Sequence, residues 1–200
     1  MKKIFLILLF CSTTVFAQKT YKKSLSGIKK VKIDSDAKVT IIAATTSELV
    51  LTEKNNRHHD NSHDIRNKSR REGLKPIYSN GTDNTDGFGF SITVEGTTLV
   101  VRDLKSHIQR DAITITLPKT MNISDDCRNL GSISVDGFNS EVEVESIVGE
   151  IILKNVTGPV TAHSSTGTIS VVFVNVSQST PISISSSVGI IDVTLPTSTK

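Results

Sequence analysis

Tryptophan is absent from this 200-residue chain, tyrosine occurs twice, and aromatic residues make up only 4% of it. So few rings exclude a core built on aromatic packing, are lean for a globular enzyme, and leave little from which a sugar-stacking platform could be made. Cysteine is as scarce, with Cys11 and Cys127 alone. No apolar run approaches the roughly 20 residues that a transmembrane helix needs. Charge of one sign is missing too: 23 Lys and Arg face 20 Asp and Glu, for a formal net charge of +3. A near-neutral chain has no electrostatic case for nucleic acid.

What the sequence does have begins at its start. MKKIFLILLFCSTTVFAQ carries Lys2 and Lys3, an apolar run from Ile4 to Phe10, and small residues at the two positions of Val15-Phe16-Ala17 that a signal peptidase inspects. Residues 1–17 therefore read as a signal peptide cleaved near Ala17, and the expected location is the periplasm, the outer surface or the medium. Phe10 is too bulky to precede a lipobox cysteine, so Cys11 is expected to leave with the leader. Cys127 then stands alone, which excludes an intramolecular disulfide and makes a buried structural thiol the expectation.

The last third writes one phrase four times: GSISV at Gly131, GEIIL at Gly149, GTISV at Gly167 and GIIDV at Gly189, spaced by 18, 18 and 22 residues. After each glycine, aliphatic residues follow at the second and fourth positions, beginning with Ile133, Ile151, Ile169 and Ile191; that alternation is a strand with one buried face. A second alternating segment follows in three copies, through Val142 and Val144, Val160 and Ala162, and Ile182 and Ile184. Between the two segments an apolar residue seven positions past the glycine, Phe138, Val156 or Val174, sits near turn-formers. Each unit is thus two strands and two bends, and a fixed period of this length marks stacked repeats with like side chains in columns. Glycine at the corner is expected to permit a positive φ or a close backbone approach. The four additional residues of the last period fall around 174–180, as a corner loop.

Residues 18–118 are β as well but less regular. Val31, Ile33, Val39, Ile41, Leu49 and Leu51 alternate, SITVEGTTLVVRD reads as two strands about Glu95-Gly96-Thr97, and AITITLP ends at Pro118. A polar tract over 54–75 interrupts them with seven basic and three acidic residues, and is expected to be an exposed loop. The fold class is therefore all-β: a β-solenoid or β-helix-like stack of about 18-residue repeats over 119–200, behind an irregular β N-terminal section.

These GxIxV repeats, the return strands, the ITITLP ending and the leader resemble the putative-adhesin β-strand-repeat family of exported bacterial proteins; DNTDGFGF at 83–90 resembles a Gly-rich segment of one branch. The resemblance implies a β-helix-like fold and a surface role, and it supplies no catalytic or binding residues.

Candidate chemistry is sparse. His58, His59 and His63, with Asp60 and Asp64, are metal-ligand types, and His59 to His63 has an i, i+4 spacing; no apolar periodicity holds a helix there, so no metal is expected. Arg66 to Arg71 could meet anions but reads as a solvated charge run. Glu141, Glu143, Glu145 and Glu150 are carboxylates of the kind a glycoside hydrolase pairs, though without an evident cleft. His163 shares a register position with Glu145 and Ser185 and is weak as a catalytic base. The expected protein is an exported, non-enzymatic interaction module without cofactor, with an unknown protein or glycan partner at the cell surface and with end-to-end self-association. A polysaccharide-active enzyme on a β-helix scaffold, or an accessory protein of an envelope-stress or anti-sigma system, are the alternatives. If the tract is a loop, limited trypsin digestion should cut first at Arg66, Arg70 or Arg71, leaving the repeats intact; first cuts within 131–195 would contradict that reading.

Overall fold

The computed structural model describes residues 19–53, 74, 76–105, 112–176 and 181–197. All regular structure among them is β, arranged in two mixed sheets. The first part contributes β1 (Thr20–Ser24), β2 (Lys30–Asp34), β3 (Lys38–Ala44), β4 (Glu48–Glu53), β5 (Phe90–Glu95), β6 (Thr98–Asp103) and β7 (Ala112–Pro118). The second contributes β8 (Asn122–Cys127), β9 (Ile133–Asp136), β10 (Val142–Val148), β11 (Ile151–Val156), β12 (Val160–Thr166), β13 (Ile169–Phe173), β14 (Ile182–Val188) and β15 (Ile191–Thr194).

From β8 onward, consecutive strands alternate between the sheets. One sheet has the order β1-β4-β7-β3-β9-β11-β13-β15 and the other β14-β12-β10-β8-β2-β6-β5. Strands of both halves of the chain share both sheets. β9, β11, β13 and β15 pair in parallel, so that Ile133, Ile151, Ile169 and Ile191 are successive partners; the next inward row is Val135, Leu153, Val171 and Val193. Val39 and Ile113 continue the first row. Antiparallel pairing is confined to one end, where β1 meets β4, β4 meets β7, and β5 meets β6.

The core lies between the sheets, because period-two alternation sends every second side chain there. One cluster of buried residues runs from Leu25 to Phe173 and draws on both sheets. Burying each such aliphatic side chain contributes about 1.5–3 kcal/mol. Phenylalanines join them: Phe88, Phe90 and Phe138 are fully buried, and Phe173 is buried as well. The first two sit in the Gly-rich segment, where the Asp83 carboxylate accepts from Thr85 N–H (2.8 Å), the Thr85 hydroxyl (2.7 Å) and Gly89 N–H (2.9 Å). Asn84 brackets Ile92, accepting from its N–H and donating to its carbonyl, both at 2.8 Å. That segment thus acts as a hydrogen-bonded plug.

The corner glycines explain the repeat. Gly149, Gly167 and Gly189 all have φ near +150°, and a Cβ on any of them would collide with the carbonyl oxygen of the glycine one unit earlier: Gly131, Gly149 and Gly167 in turn. No side chain can shrink out of such a backbone clash. On the opposite bend the structure corrects the sequence. Val174 does not continue the column of Phe138 and Val156; it is 56% exposed, and Phe173 lies across from Val156. The cause is a bulge, since Gly137 and Asn155, one period apart, both adopt positive φ, and the register of β11 against β13 shifts between Leu153 and Val156. β13 lacks the extra residue, so its buried side chain arrives one position sooner.

Gly167→Ala should accordingly cost about 3 kcal/mol or more in denaturant melts. Ile169→Asp should cost at least as much by burying an unpaired charge, whereas Ile191→Asp, at a position 43% exposed, should cost far less. Equal losses for the two isoleucines would contradict the placement of the core.

Candidate functional site

Sheet register also organises the outward face of the second sheet. Arg102, Asp34, Asp126, Glu145, His163 and Ser185 are successive partners across β6, β2, β8, β10, β12 and β14. Neighbouring strands lie about 4.8 Å apart, so three carboxylates stand side by side and need cations. Arg128, just past β8, supplies one: its Nε reaches Asp126 Oδ2 at 3.2 Å and its Nη2 reaches Asp34 Oδ2 at 3.6 Å. Arg102 Nε approaches the same Asp34 oxygen at 3.7 Å. Both guanidiniums are more than half exposed, so each pair stabilises the fold by at most about 1 kcal/mol.

At the ends of these strands Asp34, Asp36, Asn80, Arg102, Asp103, Arg128 and Asn129 line a cleft of about 520 Å³. Asp103 is buried in its wall and accepts from the Ser35 hydroxyl at 3.1 Å and from Lys105 N–H at 2.9 Å. The lining is planar and polar: carboxylates, carboxamides and guanidiniums that accept and donate in pairs, a set suited to holding a polar ligand. It contains no Ser, Cys or Lys nucleophile beside a histidine base.

Among the residues singled out in the sequence, His163 and Ser185 do meet, Nδ1 to Oγ at 2.9 Å, with Glu145 on the adjoining strand. The contact is exposed on a sheet surface rather than enclosed in a cleft. Glu143 accepts from Lys30 Nζ at 2.7 Å, and that donor holds its carboxyl below the ordinary range, so it stays ionised. A glycosidase acid needs the opposite shift. His58, His59, His63 and the run from Arg66 to Arg71 lie outside the described residues, as does the leader. Among the described residues, no group of three metal-ligating side chains comes together.

Sequence reasoning missed a polar seam inside the core. Asp125 lies in an inward row between Ile33 and Val144, fully buried, and neither carboxylate oxygen has a hydrogen-bond partner. Beside it runs the inward row Cys127, Ser146, Ser164 and Ser186. The signal was present in an S-x-x-G spacing, with Ser146, Ser164 and Ser186 each three residues before a corner glycine. Ser186 donates to the Gly167 carbonyl at 3.3 Å, while the Ser146 and Ser164 hydroxyls are buried without partners. Burial pushes the Cys127 thiol up to about 11. Burial, with Asp126 and Asp34 nearby, raises the Asp125 carboxyl well above the ordinary range.

A folded-state pKa raised in this way favours the neutral acid, so its contribution to stability is complete below the unfolded value of about 3.9 and is lost as pH rises through the folded value. Asp125→Val, which matches its row neighbours, should therefore stabilise the protein by about 2 kcal/mol or more at pH 8, with the gain shrinking toward pH 4. Melts of the two proteins from pH 4 to 8 check this; a constant difference would contradict it.

No family model matches the chain, and no curated protein matches it in sequence. Two solved structures do resemble it. One is described as a "putative cell adhesion protein" from Clostridium sporogenes ATCC 15579, with TM-score 0.51 and 13% identity over 90% of this chain and 100% of that one. The other is described as a "putative adhesin" from Bacteroides fragilis NCTC 9343, with TM-score 0.37 and 14% identity over 90% of this chain and 98% of that one. At this identity the first likeness shows a shared fold and no more.

Proposed function

We propose that the chain is an exported, non-enzymatic interaction module of the cell surface or periplasm, built as a two-sheet β-solenoid in which each unit adds one strand to either sheet. The observation that carries this reading is the pair of continuous outward faces that the in-register pairing creates. On the first sheet, Thr20, Thr52, Thr114, Thr40, Ser134, Ile152, Ser170 and Asp192 form one outward row across all eight strands. Hydroxyls on six of these eight strands set like donors and acceptors side by side, which suits protein or glycan contact spread over many weak bonds. The second sheet adds the carboxylate, amide and guanidinium cleft, where a ligand group could be held more selectively. The leader supports export, and no helix among the described residues is long and apolar enough to cross a membrane. The adhesion-related description of the structural neighbour with TM-score 0.51 agrees with this role.

Cell fractionation with N-terminal sequencing tests the reading first: the mature chain should begin at Gln18 and be recovered outside the cytoplasm. The purified chain should then bind on arrays of surface glycans and envelope or matrix proteins. Arg128→Ala should weaken binding at the cleft about tenfold, with melting unchanged within ~1 kcal/mol. A cytoplasmic protein with an intact leader, or turnover of an arrayed polysaccharide, would contradict the proposal.

A further inference from the structure

The two ends of the sheets differ in chemistry. At the end formed by β1 and β5, Lys22 and Lys23 lie on one edge strand and Glu95 on the other, and the side chains behind them, Leu49, Leu51 and Leu99, are fully buried. Val94 is the one large apolar side chain exposed on either strand. Charge on an edge discourages pairing with another chain. The end formed by β14 and β15 is the reverse. β14 reads ISISSSV, without a charge, and β15 reads IDVT, with Asp192 alone. Ile182, Ile191 and Val193 extend inward rows whose preceding members, Val160, Ile169 and Val171, are fully buried, yet they are themselves 38–43% exposed. Ile190 and Leu195 add exposed apolar surface beside them.

This end is complementary to itself, and we propose that a second copy of the chain covers it, tail to tail about a twofold axis. Antiparallel self-pairing centred on Val193 sets Ile191 against Leu195, Val193 against Val193, and Asp192 against Thr194, so apolar side chains meet inside and Asp192 faces a hydroxyl rather than another acid. β14 meets β14 with only Ser, Ile and Val in contact, whatever its register. The pairing satisfies the free edge groups of four strands and carries the inward rows through the axis into the partner. A head-to-tail contact would place these aliphatics against the sealed, charged end, and repetition would grow an open filament; the twofold contact closes at two copies. The inference depends on the edge strands alone and stands whether or not the surface role does.

Sedimentation over a concentration series, together with cysteine cross-linking, tests it on the whole chain. The protein should go from monomer to dimer and stop there, at high salt as well, since no ion pair carries the contact. Val193→Cys should form a symmetric intermolecular disulfide on mild oxidation, and Thr93→Cys on β5 should not. Val193→Lys should weaken association at least tenfold. If Val193→Lys fails to fold, the cross-linking comparison still decides. A chain that stays monomeric at every concentration, assembly that grows beyond two copies, or Thr93→Cys cross-linking in place of Val193→Cys would overturn the proposal.

Discussion

The carbonyl of one corner glycine occupies the place where the next glycine's Cβ would stand, and the rest of the molecule follows from that approach. With backbones so close at the corner, the strands leaving it must start level. Their hydrogen bonds then run in register: Ile133 N–H to the Glu150 carbonyl, Ile151 N–H to Thr168, and Ile169 N–H to Ile190. The Gly149 and Gly167 N–H groups bond the Thr166 and Val188 carbonyls in the same way. Level strands put isoleucine beside isoleucine, which builds the aliphatic rows of the core. The same register lines up outward residues, so one constraint yields both the aliphatic rows and the polar faces.

Much of the repeat half was legible because its phase is a spatial code. When a unit recurs after 18 residues, the neighbour of Ile151 must be Ile133 or Ile169, and period-two alternation says which way each points. The first half has no such code. β2 pairs with both β6 and β8, and β3 with both β7 and β9, over long and unequal separations that single-strand patterns do not reveal. The cleft formed by Asp34, Arg102 and Arg128 depends on those pairings, so its residues could not be gathered from the sequence.

Two positions elude sequence reading for distinct physical reasons. Counting from the glycine aligns Val174 with Val156, but a bulge between Leu153 and Val156 adds a residue to one strand and none to its neighbour, and counting cannot see it. Asp125 stands beside Asp126, and two adjacent acids look alike in sequence although alternation sends only one of them inward. Its phase with Ile123 and Cys127 points inward, and burial there, with Asp126 and Asp34 nearby, raises its carboxyl well above the ordinary range. In both places a rule of sequence reading gave way to a register set elsewhere in the sheet.

Amide hydrogen exchange read residue by residue tests the central claim that the corner glycines lock the units in register. The amides of Ile133, Gly149, Ile151, Gly167 and Ile169 should exchange only through global unfolding, with protection equal to the stability found in denaturant melts. Exchange of the Gly149 and Gly167 amides at rates near those of an open chain, while the strands on either side stay protected, would show that the corners do not hold the stack and would contradict the account.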